Sequence, residues 1–238
     1  MSYVQGFVIP VATGKRDAYL AMAQMAAPLF LEYGASRVVE CWGDDVPHGT
    51  LTDFYRAVAA EEGETIVFSW IVWPDHATAK AAETTMMEDE RMKPPEDMPF
   101  DGKRLIYAGF DEIYDGGQGG PFGYIDGFLA AVPIASKEAY LDHARTMTAI
   151  IAENGCTRGT ENWAGDIAEG KVTDFRRAVQ LEPGEAVVFS WLEWPDKATR
   201  NAGMGKMMED PRVHALDMPF DGKRMIYGGF VPILDTAN

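Results

Sequence analysis

Tyr3-Val4-Gln5-Gly6-Phe7 returns as Tyr124-Ile125-Asp126-Gly127-Phe128, an offset of 121 residues (Tyr124 against Tyr3). The same offset carries Ala18-Tyr19-Leu20 onto Ala139-Tyr140-Leu141, and Thr52-Asp53-Phe54 onto Thr173-Asp174-Phe175. It also carries Val67-Phe68-Ser69-Trp70 onto Val188-Phe189-Ser190-Trp191. One residue drops out before MPFDGKR, which runs from Met98 to Arg104 and again from Met218 to Arg224. A little under half of the aligned positions are identical. The chain is therefore two copies of one unit, residues 1–115 and 122–238, with Gly116-Gly117-Gln118-Gly119-Gly120 reading as a flexible linker.

Each copy reads as βαββαβ. Residues 3–11 alternate large apolar with small or polar side chains, as a half-buried strand does. From Lys15 to Tyr33 the apolar positions fall at helical spacing and Gly34 supplies a C-terminal cap. Residues 36–43 and Thr65 to Trp73 read as strands, Pro74-Asp75 opens a helix that runs to about Asp89, and Arg104 to Ile113 is the last strand. This order is the ferredoxin-like split βαβ unit, in which both helices cover one face of the sheet. The bare face needs an apolar partner, and the second copy supplies it. The predicted fold is α+β: two ferredoxin-like domains packed sheet to sheet as an intramolecular pseudo-dimer, an α+β barrel.

Composition narrows the partners. Against 21 basic residues stand 37 acidic ones, for a formal charge of -16 across 238 residues. Such a field repels phosphate backbones and anionic lipid surfaces, so neither nucleic acid nor membrane is expected. No apolar run is long enough to span a bilayer, and the amino terminus lacks the pattern of a signal peptide. With Cys41 and Cys156 alone a disulfide scaffold is not expected, and a cytoplasmic location follows.

Several motifs together carry a family resemblance. They are Gly6 to Val11 (GFVIPV), Glu40-Cys41-Trp42 and Glu161-Asn162-Trp163, Thr52 to Val58 and its copy Thr173 to Val179, Val187 to Trp191, Met207 to Arg212, and Met218 to Phe230. The sequence resembles the YbaA-like bacterial family, a domain-of-unknown-function family, over both halves. That resemblance implies a dimeric α+β barrel, here as a tandem fusion, and it implies no activity. By fold analogy alone, the barrel is shared with antibiotic-biosynthesis-type monooxygenases, muconolactone isomerases and haem-dependent chlorite dismutases.

A polar residue present in both copies occupies two equivalent environments, which gives a filter for sites. None of the four histidines recurs: His48 faces Glu169, His76 faces Lys197, His143 faces Met22, and His214 has no counterpart near Lys93. Neither cysteine recurs either, so no metal and no cofactor is expected. The pairs that survive include Glu40/Glu161 and Trp42/Trp163, two apart on the second strand and so on one face. Trp70/Trp191 shares a face with Phe68/Phe189 on the third strand, with Ser69/Ser190 and Trp73/Trp194 opposite, and Arg104/Arg224 opens the last strand. These residues suggest a pocket between sheet and partner, walled by Trp42, Trp70, Phe68 and their copies Trp163, Trp191, Phe189. Glu40 and Arg104, or Glu161 and Arg224, would be its polar groups. The alternative is an ordinary Glu40–Arg104 ion pair beside a packed aromatic core. Alternation does not say which face meets the helices. Gln5 and Val72 become Asp126 and Glu193 in the second copy, which predicts a more acidic second site.

Two functions follow from different classes. The first is a small-molecule site for an apolar or aromatic ligand, with Glu40 or Glu161 as proton acceptor, extending to a metal-free enzyme of the monooxygenase or isomerase type. The second is a non-catalytic structural or protein-interaction module. Whether the protein is an enzyme, and whether it assembles beyond the pseudo-dimer, stays open at this level.

Overall fold

The structure is a computed structural model that describes residues 1–93 and 97–237. Residues 94–96 and 238, inside the two repeat units, lie outside the described residues. The first repeat runs β1 (Tyr3–Ala12), α1 (Arg16–Glu32), β2 (Arg37–Asp45), α2 (Phe54–Ala57), β3 (Glu64–Trp73), α3 (His76–Glu88) and β4 (Ile106–Gly117). The second runs β5 (Tyr124–Pro133), α4 (Lys137–Ala152), β6 (Arg158–Ala164), α5 (Phe175–Ala178), β7 (Glu185–Trp194), α6 (Lys197–Glu209), α7 (Pro211–His214) and β8 (Ile226–Asp235). Asp75 and Asp196 cap α3 and α6, each accepting from the backbone N–H three residues on, and Asp53 and Asp174 cap the short α2 and α5 likewise.

The eight strands close in the order β1-β3-β2-β8-β5-β7-β6-β4. Within each repeat the register repeats: Tyr3 faces Trp73 as Tyr124 faces Trp194. Between repeats, β2 pairs with β8 and β4 with β6, so each copy satisfies the other's open edges. The tandem α+β barrel is thus formed with the two sheets facing one another across its interior. One boundary differs from the sequence reading. Gly116 and Gly117 pair with Gly159 and Arg158 as the end of β4, because the strand is still hydrogen-bonded to the second repeat there.

The barrel interior is filled. Phe68 stacks on Phe189 at 4.4 Å between ring centroids, and Trp70 on Trp191 at 4.3 Å, across the pseudo-twofold. Phe54 and Phe175 meet Phe68 and Phe189 edge-on, and Phe230 and Phe110 lie against the same rings tilted by 32°. The rings fit because two strands carry glycine opposite them. A Cβ on Gly6 would lie 2.8 Å from the Phe189 ring, and one on Gly127 3.0 Å from Phe68. The long helices α1, α3, α4 and α6 pack on the outside of the barrel, over satellite apolar clusters around Trp73, Tyr140, Trp194 and Tyr19, whereas the short α2 and α5 turn Phe54 and Phe175 into its interior.

Candidate functional site

On β2, Val39 and Cys41 are partners of Trp70 and Phe68 and point into the barrel, so Glu40 between them must point out, toward α1. Its cross-strand partner is Ser69 on β3. The hydroxyl of Tyr19, from the second turn of α1, donates to Glu40 Oε2 at 2.7 Å. The second repeat reproduces the arrangement: Glu161 faces Ser190 across the β6–β7 ladder, and Tyr140 donates to Glu161 Oε2 at 2.5 Å. Trp42 and Phe100 pack at 6.4 and 5.9 Å from Tyr19, and Trp163 and Phe220 at 6.3 and 5.7 Å from Tyr140.

Each Glu–Tyr–Ser set lies at the wall of a cavity between the outer face of the sheet and the helices. The first measures about 280 Å³ and includes Phe7, Ile9, Phe30 and Phe100 besides the polar set. The second measures about 430 Å³ and includes Ala130, His143, Ile151 and Phe220. Enclosure by protein is the dominant influence on both carboxyls. Burial pushes Glu40 and Glu161 up from 4.5 to about 7, against the pull of the Tyr and Ser hydroxyls that bond the charged form. The tyrosines move up as well, first because they are buried and then because a carboxylate adjoins them. A carboxyl poised near neutrality in an apolar cavity can hold or release a proton at physiological pH.

The expected pocket inside the barrel is corrected by this geometry. Trp70, Phe68 and Phe189 stack in the filled interior, on the opposite face from Glu40; Trp191 stacks with them and, within Ser190-Trp191-Leu192, also borders the second cavity. Trp42 and Trp163 pack on the tyrosine of each set. Arg104 meets neither Glu40 nor the cavity. It forms a bidentate pair with Glu64 at 2.7 and 2.8 Å, and Arg224 pairs with Glu185 in the same way. The reason is register: Arg104 precedes β4 and Glu64 begins β3, at the same end of the barrel, so the ion-pair alternative fails as well. Glu193 and Asp126 do not share a face. Glu193 lies inside the barrel near Arg37 and Arg158, and Asp126 lies outside, bonded by Trp194 Nε1 and Arg200.

Sequence reading missed Tyr19/Tyr140, Ser69/Ser190 and Phe100/Phe220 as site residues. All six are duplicated, so the repeat filter held the signal, but a tyrosine at helical spacing reads as core. It also passed over His143. That residue lies three after Tyr140 on α4, on the same helix face, and borders the second cavity. Among the described residues no three His, Cys, Asp or Glu side chains are grouped to hold a metal ion.

Residues 2–102 and 123–222 both match a family described as protein of unknown function, DUF1428. The chain belongs to that family. Two similar relatives are the uncharacterised protein YbaA of Escherichia coli K12 and that of Shigella flexneri. Each is 58% identical over 116 residues, which is 48% of this chain and 99% of the relative. Among solved structures, a provisionally assigned monooxygenase of Fusobacterium nucleatum superposes with a TM-score of 0.59 at 9% identity, covering 98% of this chain and 93% of its own. An anthrone oxidase-like protein gives 0.58 at 13% identity, covering 98% and 92%. At these identities the likeness shows the fold alone, an α+β barrel of two ferredoxin-like repeats. No described helix is long and apolar enough to cross a membrane.

Proposed function

We propose that each repeat binds a small, largely apolar or aromatic molecule in the cavity between its sheet and its helices, and that Glu40 and Glu161 exchange a proton with it. The observation that carries this reading is the repetition of one Glu–Tyr–Ser set at the wall of both cavities, with each carboxyl held near 7. A carboxyl in this state is expensive to maintain in an apolar setting, since burial opposes its charge. In the charged form it takes a proton from an acidic C–H or O–H of the ligand. The electron pair of that bond stays on the ligand, and the Tyr19 or Tyr140 hydroxyl, released from its carboxylate once that group is protonated, donates toward the developing charge. Return of the proton to another carbon completes an isomerisation. Oxygenation, which the names of the two solved neighbours suggest for those proteins, would begin from the same step and would consume dioxygen. The reading is tested by thermal shift with a panel of apolar metabolites, since a ligand of the native state raises its melting temperature. Binding that disappears in E40Q/E161Q, with the fold retained, supports proton exchange at these carboxyls. Binding unchanged by the double variant refutes it.

A further inference from the structure

The two cavities differ in ways that follow from a few substitutions between the repeats. Where the first has Ile9 and Phe30, the second has Ala130 and Ile151, and its volume is larger, about 430 against 280 Å³. Met147, Met204 and Met225 stand on the second wall where the first repeat has Ala26, Glu83 and Leu105. Methionine is unbranched and adapts its shape to what it contacts. The third difference is chemical. Met22 of the first cavity becomes His143 in the second. His143 Nδ1 lies 3.0 Å from the carbonyl oxygen of Asp217, which can only accept, so Nδ1 carries the ring proton. Burial holds the imidazole below its ordinary 6.5, which keeps it neutral at neutral pH. Nε2 is then an acceptor, and no described residue hydrogen-bonds to it.

We propose that the second cavity is the preferred site for a ligand of the two-ring phenol class, whose hydroxyl is read by His143 as well as Glu161, while the first cavity, narrowed by Ile9 and Phe30 and lacking the histidine, binds it more weakly. This rests on the reading of the cavities as ligand sites. In this arrangement His143 sets specificity: a hydroxyl that donates to Nε2 gains a bond that Met22, its counterpart in the first cavity, does not offer. The fusion of two repeats in one chain has thus produced two receptors rather than two copies of one.

Calorimetric titration with 2-naphthol and with naphthalene, near neutral pH, tests the assignment. Wild type binds one equivalent of 2-naphthol tightly per chain. A130I/I151F, which restores the first cavity's bulk, abolishes that binding, and I9A/F30I raises the stoichiometry toward two. H143M, which restores the first repeat's residue, weakens 2-naphthol about tenfold, the loss of one hydrogen bond, and leaves naphthalene within twofold. Two equal sites in wild type, full binding by A130I/I151F, or equal weakening of both probes by H143M overturns the proposal while leaving both cavities as ligand sites. No binding of either probe to wild type, together with no response to the wider metabolite panel, overturns both readings. No binding of the probes with a positive panel overturns this one alone.

Discussion

Replacing Glu40 and Glu161 together by glutamine removes two groups whose folded-state pKa lies far above the value of a free glutamate. Each carboxyl rises from 4.5 to about 7 on folding, so between those limits the native state holds protons that the unfolded chain has released. Stability then falls as pH rises, because unfolding releases a proton from each site. At about 1.36 kcal/mol per pKa unit the span is about 3 kcal/mol per glutamate, fully felt above pH 7 and absent below about pH 4.5. Glutamine stays neutral and keeps an oxygen for the tyrosine hydroxyl. The double variant should therefore exceed wild type by about 1–2 kcal/mol at pH 5 and by several kcal/mol at pH 8. Urea denaturation followed by tryptophan fluorescence at pH 5, 6, 7 and 8 measures the difference, and other titrating groups cancel between the two proteins. Parallel stability curves for wild type and variant would refute the claim that these carboxyls titrate near neutrality, and with it their fitness for proton exchange.

Tyr19→Phe with Tyr140→Phe removes the hydroxyls that favour the charged carboxylates, so the Glu40 and Glu161 pKa values should move further above 7 in an infrared or carbon-13 titration. Gly6→Ala drives a methyl against the Phe189 ring and should lower stability by about 1–3 kcal/mol in denaturant melts, with Gly127→Ala, whose contact is slightly longer, costing less. Arg104→Met leaves Glu64 without its bidentate partner and should cost about 2 kcal/mol, while binding to the cavities stays within twofold of wild type by calorimetry.

Most of the architecture was legible because the repeat is written in residues that hold it together. Gly6 and Gly127 recur because a ring from the other copy lies over each, and Asp75 and Asp196 recur because each caps a helix. The face of the site was not legible. On β2, Val39 and Cys41 on one side and Val38 and Trp42 on the other are all apolar, since one side packs in the barrel and the other under α1. Period-2 alternation distinguishes faces only when one of them is wet. Arg104 looked like a site residue for the same reason that Glu40 did, its recurrence. Only the strand register reveals that Glu64, not Glu40, shares its end of the barrel. His143 escaped for the opposite reason: a filter built on recurrence discards whatever distinguishes the second copy from the first.

The continuity of β4 has a thermodynamic consequence. This strand pairs with β1 along Ile106 to Asp111 and then, without leaving extended structure, with β6 as far as Gly117. The connection between the repeats is therefore short and already in place when the barrel closes. A unit built from one copy would present the edges of β2 and β4 unpaired and could close such a barrel only by meeting a second chain, so its melting temperature would rise with protein concentration. The tether converts that encounter into an internal event, at the millimolar effective concentration typical of short connections. The fused barrel should therefore hold together at dilutions where two separate halves would part, with a melting temperature insensitive to how much protein is present.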